Sequence, residues 1–275
     1  MDELQGYRCI MAEEEPVFET TTGPPRIITA ASLFDGHDAA INVMRRLIQS
    51  AGAEVIHLGH DQSAKAVVDC AIQEDAHGVA LTSYQGGHVE YFTYIRQLLD
   101  EAGCEHIRIF GGGGGTITPP EIKTLHESGI SKIYSPDDGR TMGLMGMIHH
   151  LMGIASEVDL IHPDRLVSLD GPVTPEDTAK VGLLLTMSES ADDATFKATL
   201  DMCRSTQKDV PVIGFTGTGG AGKSSLLDEL MLRILRDNPG KKVCLLCVDP
   251  TRKRTGGALL GDRIRMNSLS NNDLY

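Results

Sequence analysis

From Arg26 onward, short apolar runs alternate with amphipathic stretches, and this alternation restricts the possible folds more than any other feature of the sequence. The apolar runs have the length and composition of buried strands: RIITAAS, EVIHLG, GVALTSY, HIRIFG and KIYS. Each is followed by a stretch with helical periodicity. Strands and helices that alternate through short loops require parallel strand pairing with right-handed crossovers. The sequence therefore predicts an α/β fold built on a five-stranded parallel sheet.

The loops that follow the predicted strands indicate where a ligand binds. In a doubly wound sheet of flavodoxin-like strand order, ligands bind at the carboxyl ends of the strands. The loops at that edge contain the sequences DGHD, SYQGGH and GGGGG. Glycines allow a backbone to approach a large ligand where side chains would block it. Three unusual loops at one edge of the sheet therefore predict a binding face.

The rest of the chain divides into three further parts. Residues 1–25 are acidic and lack an apolar core, so we expect a flexible leader before the sheet domain of residues 26–153. Residues 154–209 contain two predicted helices, one ending near Ser190 and one from about Asp192 to Gln207, and read as a helical linker. Residues 210–275 begin a second strand–loop–helix unit.

Composition excludes several classes of function. The formal charge is −13, with 38 acidic against 25 basic residues, and such a surface repels nucleic acid. The sequence contains neither a secretory signal nor a stretch long enough to span a membrane. The six cysteines are scattered, and Cys244 and Cys247 fall in an apolar run where packing explains them. We expect a cytoplasmic protein that binds neither nucleic acid nor membrane.

A histidine after the first predicted strand is a candidate metal ligand. A lone histidine in a loop is usually only a polar surface residue, but His37 has informative neighbours. Asp35 can accept a hydrogen bond from one ring nitrogen while the other faces a metal. Ser83 and the glycine run Gly111–Gly115 end strands that lie next in the sheet. This constellation favours a bound metal-containing ligand at the carboxyl edge.

The spacing of these residues resembles the cobalamin-binding domain of adenosylcobalamin mutases and methionine synthase, whose pattern is D-x-H-x-x-G, then S-x-L, then G-G. The resemblance implies that His37 ligates cobalt, that Asp35 orients it, and that the cofactor's displaced tail enters a slot lined by Ser83, Gly112, Gly113 and Gly114. Two positions depart from the pattern. Ala40 replaces the family's glycine, which could narrow the tail channel, and Gln85 replaces its leucine.

A phosphate-binding motif lies far downstream. G-x-x-x-x-G-K-S is matched by Gly217, Gly222, Lys223 and Ser224, between a predicted strand, VIGF, and a predicted helix. Backbone N–H groups of the loop would surround phosphates, Lys223 would pair with their oxygens, and Ser224 would hold Mg²⁺. The same loop contributes the remaining candidate nucleotide contacts, which are Gly219, Gly220, Ala221 and Ser225.

The segment VDPTRKRTGGALLGDRIRMN is similar to one in the GTPases that act as chaperones for cobalamin enzymes. The resemblance implies that Asp249 and Asp262 belong to the Mg²⁺ site and that Arg265 contacts the nucleotide. It also implies GTP, because the phosphate motif alone does not distinguish GTP from ATP. The later base-reading motif N-K-x-D is missing, so we expect only the first strands of a truncated P-loop GTPase domain.

Together, the two modules resemble the N-terminal portion of the fused isobutyryl-CoA mutases. That family implies adenosylcobalamin, GTP and Mg²⁺ as cofactors, radical interconversion of isobutyryl-CoA and n-butyryl-CoA, a chaperone GTPase, and a homodimer. The acyl-CoA substrate would bind a barrel domain outside this sequence, so no catalytic residue is expected here. Three alternatives remain open: a stand-alone cobalamin carrier or sensor, a GTPase that loads a separate mutase, and an interaction module without ligand.

Overall fold

A parallel sheet is the centre of the computed structural model, which describes residues 16–166, 173–174, 177–190, 192–204, 210–247, 258–260 and 266–270. The strand order is β5-β4-β3-β1-β2-β6, so the five strands predicted from the sequence have the flavodoxin-like order. The strands are β1 (Arg26–Ser32), β2 (Glu54–Gln62), β3 (Gly78–Thr82), β4 (Arg108–Gly112), β5 (Lys132–Tyr134) and β6 (Ala258–Leu260).

Helices cover both faces of this sheet. The helices are α1 (Asp38–Ser50), α2 (Ala64–Gln73), α3 (His88–Glu101), α4 (Pro119–Glu127), α5 (Pro136–Ser156), α6 (Pro163–Leu166), α7 (Thr178–Ser190), α8 (Asp193–Arg204) and α9 (Lys223–Asp237). Alternate residues of a strand point to opposite faces. Ile28 of β1 therefore packs in the core under α2 and α3, whereas its neighbour Ile27 packs in the core under α1 and α5. Among the described residues, no helix combines the length and apolar character needed to cross a membrane.

Local side-chain caps fix where several helices begin. The Ser63 hydroxyl accepts a hydrogen bond from the backbone N–H of Ala66 at 3.2 Å and starts α2. Capping boxes start α4, through Thr118 and Glu121, and α5, through Ser135 and Asp138, each with proline in the first turn. These caps set the length of the loops at the carboxyl edge of the sheet.

The linker helices contact the opposite, amino edge of the sheet. Arg26, at the start of β1, donates to the Thr186 hydroxyl of α7 at 2.9 Å. Arg165 of α6 donates to Asp75, a buried carboxylate just before β3, at 2.6 Å. The loops that were predicted to bind a ligand therefore lie on the edge that the linker leaves open.

Part of the expected flexible leader is packed against the domain. Thr20 forms a hydrogen bond with the Nε2 atom of buried His77 at 3.2 Å, and the ring of Phe18 lies 5.6 Å from that of His149. Phe18 and Thr20 of the predicted leader therefore contact the domain, and Thr20 gives the fully buried His77 imidazole a polar partner. Residues 1–15 lie outside the described residues.

The nucleotide region does not form the two strands that the sequence predicts there. Residues 210–218 are not a strand, and Val212 and Ile213 are 91% and 74% exposed. Residues 241–247 contain only an isolated bridge residue, Val243. A strand needs neighbouring strands for its hydrogen bonds, and these apolar runs lack such partners in the described part of the chain. A later segment, β6, instead pairs with β2 and makes a sixth strand that the sequence did not predict.

Candidate functional site

The loop after β1 carries an aspartate into the protein interior. Asp35 is fully buried, although it lies only three residues beyond the end of the strand. Its Oδ1 atom accepts the backbone N–H of His37 at 2.9 Å, and Oδ2 accepts the backbone N–H of Tyr84 at 2.7 Å. These bonds connect the loop after β1 to the loop after β3. The sequence-predicted residues Asp35 and His37 are therefore held together at the carboxyl edge of the sheet.

The hydrogen bonds of Asp35 determine which nitrogen of His37 is protonated. Burial raises the pKa of the Asp35 carboxyl, but the hydrogen bonds from Tyr84 and His37 outweigh this and hold the pKa below its usual value. An ionised carboxylate can only accept hydrogen bonds, so the Nδ1 atom of His37, 2.8 Å from Oδ1, carries the proton. The lone pair of Nε2 is then available to a metal.

The position of His37 leaves its ring accessible. His37 is the residue that precedes α1, and its side chain is 66% exposed. The ring of Tyr84 lies 5.5 Å from the imidazole, in a tilted orientation. An oriented imidazole with one protonated and one accessible nitrogen is the arrangement that a metal ligand requires.

A cavity of about 560 Å³ lies beside this loop, between the sheet and helices α1 and α5. Its lining is mostly apolar and includes Ala40, Met44 and Leu151. Ala40 is the position where the resemblance expects glycine, so the added methyl group forms part of the wall. The dimensions suit the elongated tail of a large ligand whose head lies near His37.

Glycines form the floor of the cavity at the ends of β3 and β4. Gly112, Gly113 and Gly114 all line it, as the resemblance predicted. A Cβ atom on Gly113 would overlap the carbonyl oxygen of Ser83, and one on Gly114 would lie 3.3 Å from the ring of Tyr84. The two strand ends therefore approach too closely for a side chain at position 113, and the backbone is exposed to the cavity.

Ser83 does not line the cavity, whereas its neighbour Thr82 does. The Ser83 hydroxyl accepts a hydrogen bond from Ser32 at 2.8 Å inside the protein. Side chains alternate along an extended chain, so Thr82 and Tyr84 point to the cavity and Ser83 points away. The Oγ1 atom of Thr82 is buried and has no hydrogen-bond partner among the described residues. The sequence did not identify Thr82, because the motif alone does not show which of two neighbouring side chains at the strand end points to the cavity.

These features fit the group that the resemblance implies. Thr82 lines the apolar cavity, and its buried hydroxyl has no hydrogen-bond partner among the described residues, a state that a bound ligand would relieve. The glycine floor admits a flat or elongated group, and the His37–Asp35 pair lies at the mouth. The donor set, one neutral imidazole with a carboxylate behind it, suits a transition metal such as cobalt.

The predicted phosphate loop is exposed and leads directly into a helix. Gly220 and Gly222 have φ values of 76° and 80°, a conformation that favours glycine, and α9 begins at Lys223. The Lys223 ammonium group donates to the carbonyl oxygen of Thr218 at 2.8 Å, across the loop. The helix begins as the motif predicts, with Ser224 and Ser225 in its first turn, next to Gly217, Gly219 and Ala221. Asp249, Asp262 and Arg265 lie outside the described residues.

Two family models match the chain. Residues 25–133 match the B12 binding domain, and residues 181–274 match the methylmalonyl-CoA mutase-associated GTPase MeaB. The first match covers the sheet and the site just described. The second begins inside the predicted linker and includes the phosphate loop.

Curated relatives match almost the whole chain. It is 51% identical over 261 residues to the fused isobutyryl-CoA mutase of Geobacillus kaustophilus, and 50% identical over 253 residues to that of Nocardia farcinica. These matches cover 91% and 92% of this chain. The chain belongs to the fused isobutyryl-CoA mutase family. It spans 23% of the length of these two members.

A smaller relative delimits the cobalamin portion. The small subunit of 2-hydroxyisobutanoyl-CoA mutase from Aquincola tertiaricarbonis is 34% identical over 115 residues. That match covers 42% of this chain and 82% of the small subunit. In the fused isobutyryl-CoA mutase family the corresponding domain is therefore joined to a GTPase segment, whereas in the Aquincola protein it is a subunit.

Proposed function

We propose that this chain is the cobalamin-binding portion, with the beginning of the GTPase portion, of an adenosylcobalamin-dependent acyl-CoA mutase. The observation that carries the proposal is the oriented His37–Asp35 pair beside a glycine-floored cavity of about 560 Å³. The B12 binding domain match over residues 25–133 supports it.

The residues of the site would have distinct roles. When bound, adenosylcobalamin supplies the radical reactivity. Nε2 of His37 would ligate the cobalt in place of the cofactor's own base, and Asp35 would hold the proton on Nδ1 and strengthen the ligand. The displaced tail would occupy the cavity, over Gly112, Gly113 and Gly114. Thr82, rather than Ser83, would give the tail a hydrogen bond.

The nucleotide portion would act in loading the cofactor. The loop from Gly217 to Ser225 would hold the phosphates of GTP, with Lys223 as counter-charge and Ser224 on Mg²⁺. The apolar residues of 210–218 are exposed, which supports a need for further strands before this portion can form its own sheet. We therefore expect the chain alone to bind GTP weakly. The boundaries 26–153, 154–209 and 210–275 are part of this proposal.

In the full-length protein, the substrates would be isobutyryl-CoA and n-butyryl-CoA, bound by a separate mutase domain, and two copies would form a homodimer. About 50% identity over nine-tenths of the chain supports the choice of substrate. Because the acyl-CoA would bind that separate domain, we expect no isomerisation when purified chain, adenosylcobalamin and isobutyryl-CoA are mixed. Formation of n-butyryl-CoA by the chain alone would contradict the proposed division of labour.

Isotope labelling tests the ligation directly. The ¹⁵N-labelled chain is reconstituted with unlabelled cobalamin, which is reduced to the Co(II) state for electron paramagnetic resonance. A nitrogen ligand from the protein splits each cobalt line into a doublet, whereas the cofactor's own ¹⁴N base gives triplets. We expect doublets for the wild-type chain, and loss of the doublets in His37→Ala.

The exposed His60, in the outer part of β2, provides the matched control. His60→Ala removes an imidazole at the same edge of the sheet and is expected to retain the doublets. Doublets that persist unchanged in His37→Ala would refute the assignment of the cobalt ligand. Triplets in the wild-type chain would mean that the cofactor binds with its own base still attached.

A further inference from the structure

The loop that carries His37 begins with a turn in an unfavourable conformation. The backbone N–H of Asp35 donates to the carbonyl oxygen of Ser32 at 3.0 Å and closes a four-residue turn. Phe34, the third residue of the turn, has a φ of 62°. Turns with this conformation at the third position favour glycine or asparagine, since a larger side chain is strained there. Some contact must therefore hold Phe34 in place.

The neighbouring strand β2 supplies that contact. The Oδ1 atom of Asp61 accepts the backbone N–H of Phe34 at 2.7 Å. Asp61 itself has a φ of 56°, so the hydrogen bond joins two residues that are both in the left-handed region. The ring of Phe34 is 79% exposed and does not hold the turn by packing in the core.

An irregularity in the sheet brings Asp61 to this position. The regular pairing of β1 with β2 shifts once between Thr29 and Ala30 and again between Ala30 and Ser32. Each shift places an additional β2 residue opposite β1, so that Ser32 pairs with Gln62. Asp61 has no paired residue in the β1–β2 register, and bulges of this kind commonly redirect a side chain next to a binding site.

We propose that Asp61 is a positioning residue for His37. By fixing the N–H of Phe34, it sets the path of the next residue, Asp35, into the core, and Asp35 in turn holds the His37 ring. The inference rests on the proposed function, because the ring it positions is the proposed cobalt ligand. Asp61 acts through Phe34 and Asp35 and does not itself contact the metal.

The mechanism makes distinct predictions for four variants. Asp61→Ala removes the acceptor and is expected to weaken adenosylcobalamin binding about tenfold, the effect of one hydrogen bond to a charged group. Asp61→Asn keeps an acceptor oxygen and is expected to retain binding within about threefold. Phe34→Gly relieves the strain, because glycine adopts a positive φ without cost. In that background, Asp61→Ala is expected to change the affinity by less than about twofold.

The experiment measures the dissociation constant of adenosylcobalamin for each variant, and the fraction of protein-nitrogen doublets after reduction of the cofactor. Asp69→Ala is the matched control, since Asp69 is a partly exposed aspartate of α2 that pairs with Lys65 of the same helix. Thermal unfolding of each apo variant separates loss of positioning from loss of fold, and Asp61→Asn keeps the test informative if Asp61→Ala is unstable.

Two outcomes would overturn the inference. One is an Asp61→Ala chain that binds cobalamin as the wild type does, with the same doublets. The other is an effect of Asp61→Ala that is undiminished in the Phe34→Gly background, which would mean that Asp61 acts by its charge. If the wild-type chain itself gives no doublets, the proposed function fails instead. Amide hydrogen exchange of residues 34–37 in the apo chain then still tests Asp61, with faster exchange expected in Asp61→Ala.

Discussion

Gly113 is a position where a single methyl group would disturb both the fold and the site. Its Cβ would overlap a backbone oxygen, Ser83 O, which cannot rotate away as a side chain could. We expect Gly113→Ala to lower the free energy of unfolding by about 1 to 3 kcal/mol and to abolish cobalamin binding. Gly115→Ala is the matched control, since nothing lies within 4 Å of its Cβ position. Urea unfolding and cobalamin titration measure both effects. Equal stability and equal cobalamin affinity of the two variants would contradict the close approach of Gly113 to Ser83.

Thr82 is expected to show opposite effects on stability and on binding. Thr82→Val keeps the shape of the side chain but removes a buried hydroxyl that has no partner among the described residues. We therefore expect the apo chain to gain about 1 kcal/mol of stability, because an unsatisfied polar group is removed. Adenosylcobalamin binding should weaken about tenfold, because the ligand loses a hydrogen bond. Thr124→Val, on the exposed side of α4, should change neither. Unchanged affinity in Thr82→Val would remove Thr82 from the site.

His77 makes the stability of the chain depend on pH. Burial, reinforced by the charge of Arg26, lowers the pKa of this imidazole from 6.5 to about 3. At pH 5 the unfolded chain therefore binds a proton at this position that the folded chain does not, so stability is full above pH 6.5 and falls as the pH is lowered towards 3. This histidine alone is expected to cost about 2 kcal/mol between pH 7 and pH 5. Urea unfolding at both values should show a smaller loss for His77→Gln than for the wild type, and an equal loss would contradict it.

At the scale of elements, helix α5 contains a break that the sequence did not reveal. Gly143 has φ 68° and ψ 174°, values outside any helix, and it separates the first two turns from the longer segment. Residues on both sides of the break, Pro136 and Met147 among them, line the cavity. The break therefore allows one helix to close two sides of the site, and the capping box at Ser135 sets where that helix begins.

Two glycines of α5 should respond oppositely to the same substitution. Gly143→Ala forces a side chain into a conformation nearly restricted to glycine and is expected to cost about 1 to 3 kcal/mol. Gly153→Ala, in a regular part of the helix with open space around it, is expected to gain about 0.5 to 1 kcal/mol. Chemical unfolding of both variants measures the two changes. A Gly143→Ala chain as stable as Gly153→Ala would contradict the break.

The same scale shows what the sequence could and could not predict. The strands β1 to β5 were predictable because apolar runs and helix caps are local signals. Asp35 and His37 were predictable because they are two residues apart on one loop. The cavity-facing role of Thr82 and the contact of Asp61 depend on side-chain parity and on register shifts between strands, which arise only when the sheet forms. The strand predicted before the phosphate loop is not formed, because the described residues include no neighbouring strand with which it could pair.

For the molecule as a whole, the linker and the site occupy opposite edges of one sheet. The linker is attached at the amino edge through Arg165. Its guanidinium group donates hydrogen bonds to the buried Asp75 carboxylate and to the carbonyl oxygen of Leu160. The His37 loop occupies the carboxyl edge, so a nucleotide-dependent movement of the linker would reach the site only through the strands. Asp75 is 3% exposed, and its Oδ1 atom lies 2.6 Å from the Arg165 guanidinium.

Removal of that contact should therefore destabilise the molecule more than removal of a surface ion pair. We expect Arg165→Ala to lower the free energy of unfolding by about 2 to 4 kcal/mol, because a buried carboxylate loses its counter-charge. Arg140→Ala, which breaks an exposed pair with Asp137, is expected to cost less than about 1 kcal/mol. Urea unfolding measures both, and limited proteolysis should cut the linker faster only in Arg165→Ala. Equal stability of the two variants would mean that other contacts, such as that of Arg26 with Thr186, hold the linker. A site that still bound cobalamin normally in Arg165→Ala would show that the two edges act independently.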